Sequence, residues 1–202
     1  MRFFSILFAA LSFVSAPFRS FAQSSTNAPS PPASAERIPL QGIHNAGKIS
    51  DQLFRGAQPD ISSLPQLKTL GITTIVDLRS EAPSTRENER RLAESVGLRF
   101  VQIPVDGFST PSSPQLAQFF FLFREKTPQT VFVHCEFGED RTGVFIASYR
   151  IAFQHWTAEQ ALREMYAFGF HYHWHPNMET FIRELPAHLQ SDPVLKAALA
   201  AP

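Results

Sequence analysis

The stretch from Thr130 to Gly143 constrains the fold more than any other part of the chain. Thr130-Val131-Phe132-Val133-His134 is a short apolar, β-branched run, the composition of a strand buried on both faces of a parallel sheet. Cys135 follows directly, then five residues, Arg141, and Thr142-Gly143, where a helical pattern begins. In open sheets covered by helices, functional groups collect at the carboxyl ends of the strands, and the turn after His134 lies at that end.

The segments upstream alternate between strand-like and helix-like pieces. Gln52-Leu53-Phe54-Arg55 reads as a short strand, Ser62 or Ser63 caps a helix to about Leu70, and Thr73 to Leu78 reads as a central strand. A charged helix from Thr85 to Val96, a strand from Arg99 to Pro104, a loop from Val105 to Ser113 and a helix from Pro114 to Glu125 come next. Beyond Thr142 the pattern is helical throughout: Val144–Phe153, a helix capped by Thr157 that runs to Phe168, and Asn177–Leu189. The expected fold is α/β, a central, mostly parallel sheet flanked by helices in one domain over residues 38–190, with a tail over 191–202.

The first residues read as an export signal, with Arg2 as the positive end, an apolar stretch from Phe3 to Ala16, and cleavage after Ala22 in Ser20-Phe21-Ala22. The apolar stretch is shorter than the roughly 20 residues a bilayer span needs, so no stable membrane span is expected once the signal (1–22) is removed. Residues 23–37, rich in Ser, Pro and Ala, bury too little apolar surface to offset ordering and read as a disordered linker. The mature protein is expected to be periplasmic or secreted. With 18 basic and 18 acidic residues the overall field gives no reason to expect a nucleic-acid partner. Cys135 is the only cysteine, so no internal disulfide can form and its thiol is free for chemistry.

The spacing around Cys135 suits a phosphate. Five residues between Cys135 and Arg141 let Glu136, Phe137, Gly138, Glu139 and Asp140 curl into a cradle of inward N–H groups, with Gly138 at the turn. The helix N-terminus beyond favours both a bound anion and the thiolate of Cys135. Arg141 offers a planar fork for two phosphate oxygens, which Lys does not. Attack by Cys135 gives a phosphocysteine, Thr142 is placed to donate to the departing sulfur, and His134 supports the loop. A leaving oxygen needs a proton, for which Asp106 beside Gly107 is the first candidate and Asp140 the alternative general acid. No metal and no cofactor is required.

With His134-Cys135, five residues, Arg141 and Thr142, the chain resembles the cysteine-dependent phosphatase superfamily. Leu53 to Pro59, Leu70-Gly71-Ile72, Val76 to Arg79 and Ile103 to Gly107 are similar to its compact, atypical dual-specificity members. The Gly-x-Asp-Arg-Thr-Gly ending is similar to members acting on phosphotyrosine, phosphoinositides or inositol polyphosphates. The resemblance implies an exported phosphatase whose partner is a phosphorylated protein or an inositol polyphosphate, the latter making it phytase-like. Glu136, Glu139 and Asp140 make the cradle's edge acidic, which disfavours a highly anionic ligand. A rhodanese-like sulfurtransferase shares the cysteine loop, but Thr142-Gly143 argues against it. A phosphate-binding pseudoenzyme ordinarily lacks the cysteine or the arginine, and both are present.

Lys48, Arg55 and Arg79 are further candidates for the phosphate site, Arg79 with Glu81 or Glu87 as its alternative ion-pair partner. Arg86 to Glu94 read as the solvated face of a helix. His171, His173 and His175 alternate as a metal-binding run would, yet read better as amphipathic rings covering apolar surface or walling the cleft.

Overall fold

The computed structural model describes residues 34–200. The stretch expected to be an export signal and most of that expected to be linker lie outside those residues. Six strands form one sheet there, in the order β1-β2-β3-β6-β4-β5. Strands β3 (Leu53–Gly56), β6 (Val131–His134), β4 (Thr74–Arg79) and β5 (Arg99–Val105) are parallel neighbours. Two short antiparallel strands, β1 (Glu36–Arg37) and β2 (Gly47–Lys48), extend the β3 edge. Neither is foreseen from sequence, since two residues carry no period, and β1 falls inside the segment expected to be linker.

Parallel neighbours need crossover connections, and the intervening helices supply them. Helix α1 (Leu64–Thr69) joins β3 to β4, α2 (Pro83–Ser95) joins β4 to β5, and α3 (Ser113–Phe121) joins β5 to β6. After β6 come α4 (Asp140–Gln154), α5 (Ala158–Ala167), α6 (Pro176–Ser191) and α7 (Pro193–Ala200). Thr157 caps α5 through a reciprocal box with Gln160, as its sequence predicts. The stretch expected to be a tail instead forms α7, which buries Leu195 and Ala198 and packs on α3. Five of the six residues after Pro193 are apolar or alanine, enough for one buried stripe. Among the described residues no helix is long and apolar enough to cross a membrane.

Strand alternation sorts side chains between two cores. Phe54, Ile75 and Phe132 join the cluster under α1 and α2 with Leu67 and Ala93. Leu53, Val76, Leu78, Val131 and Val133 face the other cluster, built on α3 and on Val144, Phe145 and Ile146 of α4. The same alternation turns Asp77, Arg79 and His134 toward α2 and Arg55 toward α4. The ends of β3, β4, β5 and β6 therefore deliver charged residues and Cys135 to one rim of the sheet.

Candidate active site

Cys135 leaves the end of β6 and is 3% exposed. The chain then turns tightly back to start α4 at Asp140, so Arg141 and Thr142 sit in the first helical turn, earlier than sequence periodicity places it. Gly138 makes this possible: its φ is 70°, and a Cβ there would lie 2.5 Å from the Ala57 nitrogen. The cradle is thus pressed against the exit of β3. Asn45 Nδ2 donates to the Gly138 carbonyl at 3.0 Å, the Gln58 N–H donates to the Glu136 carbonyl at 3.1 Å, and Arg55 donates to the Gly138 carbonyl as well.

Arg55 is fully buried with its guanidinium 4.1 Å from the centre of the Phe168 ring, and burial pushes it down to about 10. It holds the cradle from beneath and does not line the cavity over Cys135. Lys48 pairs with Asp51 at 2.7 Å, also away from the site. Arg79 is no phosphate ligand either. It pairs with Asp77 at 2.8 Å and Glu89 at 2.6 Å, all three buried. Glu89 sits four residues before Ala93 on the inward stripe of α2, so placing it on a solvated face is corrected here. The reading holds for Glu87, Arg90 and Glu94, which pair in solvent.

Glu89 also reaches His134, with Oε1 3.0 Å from Nε2, while the other ring nitrogen faces the Cys135 carbonyl at 3.1 Å. Burial alone would lower the His134 pKa, and Arg79 opposes its charge too. The Glu89 carboxylate, helped by Asp77, overrides both and raises it. When protonated, the ring balances two carboxylates and one guanidinium, and its Nδ1–H can donate to the Cys135 carbonyl. Asp77, Glu89 and His134 lie close enough to hold a metal, but the Arg79 guanidinium already occupies the space between the two carboxylates.

Arg141, 8% exposed, is held by Glu81, which the sequence offered as a partner for Arg79 instead. Its two terminal nitrogens donate to Glu81 at 2.8 and 2.9 Å, and one of them also to the Val105 carbonyl at 3.2 Å. Of five guanidinium donors three are used, and the two left over, Nε–H and one terminal hydrogen, lie on a single edge. That edge presents a side-on fork. The Arg141 contact pushes the Glu81 carboxyl down to about 2. Glu81 is therefore expected to support Arg141 at every pH above about 4.5 and to release it only as pH falls through about 2. Steady-state kinetics on Glu81→Gln should show kcat/KM about three- to tenfold lower with an unchanged Tm, because the pair is partly exposed. An unaltered kcat/KM would show that the fork needs no such support.

Thr142 is fully buried and its Oγ1 has no hydrogen-bond partner among the described residues. Asp106 is exposed; its Oδ1 accepts from the Phe108 N–H at 3.0 Å and Ser109 Oγ at 3.5 Å. It stands just outside a cavity of about 480 Å³ above Cys135, whereas Gly107, Phe108 and Asp140 line it. Asp140 Oδ1 accepts the His171 N–H at 2.8 Å. Of the histidine run, His171 and His175 reach the cavity and His173 does not. Phe108, Phe137 and Trp174 rim it at 69, 62 and 71% exposure, an unusual concentration of exposed rings.

Residues 41–181 match the family model described as a DSP-PTPase phosphatase fused to NAD+ kinase. The chain belongs to this DSP-PTPase family. Among relatives of this DSP-PTPase, the dual specificity protein phosphatase TpbA of Pseudomonas aeruginosa is 30% identical over 72% of the chain and 63% of its own length. The inositol diphosphatase DSP5 of Arabidopsis thaliana is 23% identical over 59% of each. The chain thus spans less than two thirds of these relatives. The crystal structure of P. aeruginosa TpbA superposes with a TM-score of 0.63 at 24% identity, covering 79% of this chain and 98% of that one. A TpbA structure in complex with pTyr superposes equally well, at 23% identity over the same shares. The DSP-PTPase fold expected from sequence is therefore the one present.

Proposed function

We propose that this DSP-PTPase is an exported hydrolase that cleaves phosphate monoesters through a phosphocysteine, with phosphotyrosine as its preferred substrate. The observation that carries the substrate class is the cavity over Cys135, rimmed by Phe108, Phe137 and Trp174. These rings give a phosphorylated aromatic side chain faces to stack against. The lining also carries Glu136, Glu139 and Asp140, which repel an inositol polyphosphate more than a singly phosphorylated residue. The relative in complex with pTyr supports the same choice. Export rests on the apolar residues 3–16 and the Ser20-Phe21-Ala22 cleavage point.

The phosphoryl group sits on the free edge of Arg141 and the N–H groups of the cradle. Cys135 Sγ attacks phosphorus in line, an S–P bond forms, and the ester P–O bond breaks. The leaving oxygen takes a proton from Asp106, whose loop carries Gly107 with open space around it. Asp140, committed to the His171 N–H, is the weaker candidate. Water then attacks the phosphocysteine, passing a proton to the Asp106 carboxylate left by the first step; the S–P bond breaks, and Thr142 Oγ1–H donates to the departing sulfur as phosphate forms. The Thr142 hydroxyl, without a partner among the described residues, supports that step.

Phosphate release from a phosphotyrosine peptide and from inositol hexakisphosphate, with reductant and chelator present, tests the reading. Faster release from the peptide is expected, and Cys135→Ser should lower it by at least about a thousandfold while still binding the peptide. Turnover retained in that variant removes Cys135 as nucleophile. Preference for the inositol ester overturns the substrate class.

A further inference from the structure

The Asp106 loop has little packing of its own to hold it. Asp106, Phe108 and Ser109 are exposed, and a Cβ on Gly107 would meet no atom within 4 Å. Two ties fix the loop from outside, one on each side of Asp106. The Val105 carbonyl accepts from Arg141 at 3.2 Å, and the Phe108 carbonyl accepts from Asn177 Nδ2 at 2.9 Å. Among the described residues, the second is the only side-chain hydrogen bond that reaches residues 106–111 from another element. We propose that Asn177 is a positioning residue for proton donation, holding the Asp106 loop at the mouth of the Cys135 cavity through the Phe108 carbonyl.

The post to which the loop is tied is well packed. Asn177 is the second residue of α6 and precedes Met178, which is fully buried together with Ile182 and Leu185. The buried His175 ring backs the same tie, its centroid 5.2 Å from that of Phe108. His175 Nδ1 has no hydrogen-bond partner among the described residues, so toward the loop the ring serves as a surface, the cleft wall that its sequence suggests. Within the loop, the Phe108 N–H and Ser109 Oγ take Oδ1 of Asp106, which leaves Oδ2 to carry the proton. Phe108 both orients the Asp106 carboxyl and accepts from Asn177, so a shift of Phe108 carries the carboxyl with it. A misplacement of about 1 Å in a reacting group can cost about a hundredfold, and a general acid contributes about a hundred- to ten-thousandfold. The effect falls on the leaving group. A tyrosine phenol, with an ordinary pKa of about 10, leaves poorly as an anion, whereas the nitro group of p-nitrophenolate lets it leave without a proton.

This inference rests on Asp106 as general acid, and its test separates the two. The readout is kcat/KM on a phosphotyrosine peptide divided by kcat/KM on p-nitrophenyl phosphate, a ratio that a merely structural role would not move. Asp106→Asn should lower the ratio at least about thirtyfold, and Asn177→Ala about five- to tenfold. Asn177→Asp, the same shape with no N–H to donate, should fall with Asn177→Ala. Asn177 is exposed, so both variants should melt as the parent does. Adding Asn177→Ala to Asp106→Asn should lower the ratio no further, because a tie to a missing acid positions nothing. An unaltered ratio in Asp106→Asn overturns the general acid and this inference with it. A lowered ratio there beside an unaltered one in Asn177→Ala, or fully additive losses in the double variant, overturns the inference alone.

Discussion

Replacing Arg141 by Lys is expected to lower kcat/KM toward a phosphotyrosine peptide by at least about a thousandfold although the charge is kept. Glu81 and the Val105 carbonyl take three of the five guanidinium donors and leave two on one edge. A lysine ammonium has three donors on a single atom. If Glu81 holds it, it cannot also present a planar pair to two phosphate oxygens, and if phosphate holds it, nothing fixes its position. The loss should appear in kcat as well as KM, because the fork matches the spread charge of the transition state better than the ground state. A variant within tenfold of the parent would mean that charge alone suffices at this position.

Glu89→Gln is expected to cost roughly 3 kcal/mol, the scale of breaking a buried ion pair, or about 6–12 °C in Tm for a chain of this size. The substitution keeps the shape of the side chain but removes the charge that raises the His134 pKa. A second consequence separates an electrostatic role from simple packing. His134 has a folded pKa above its ordinary 6.5, so its contribution is complete below about 6.5 and fades as pH rises through the higher folded value. Parent stability should decline on that alkaline side, and the variant's should be flatter there. Thermal melts across pH decide it: parallel curves for the two proteins would show that Glu89 acts through shape alone.

The parts of this molecule legible in its sequence are those governed by local composition. Val131 to Val133 and Thr74 to Leu78 are buried on both faces and read so. Gly138 and the Cys135-to-Arg141 spacing declare the cradle because the turn has few solutions. The partners that hold the cradle were not legible. Glu81 meets Arg141 across 60 residues, and Asn45 meets Gly138 across 93, with no local period to mark either. Glu89 could have been found, since it shares the inward stripe of α2 with Ala93, but the charged residues around it hide that stripe. Asp106 was legible as a residue type next to Gly107; its position just outside the cavity depends on a loop tied to α6 by Asn177, whose Nδ2 donates to the Phe108 carbonyl at 2.9 Å.

Those long spans bear on how the chain acquires its site. The contacts gripping the cradle close loops of 60, 83 and 93 residues. Each closure costs entropy before its contact forms, so no fragment of the chain can hold the cradle in shape. An anion seated in it engages all three closures at once and so draws on the cooperativity of the whole domain. Inorganic phosphate at a hundred times its dissociation constant would therefore add about 2.7 kcal/mol to global stability, and melts recorded in phosphate buffer would report the liganded fold rather than the bare one.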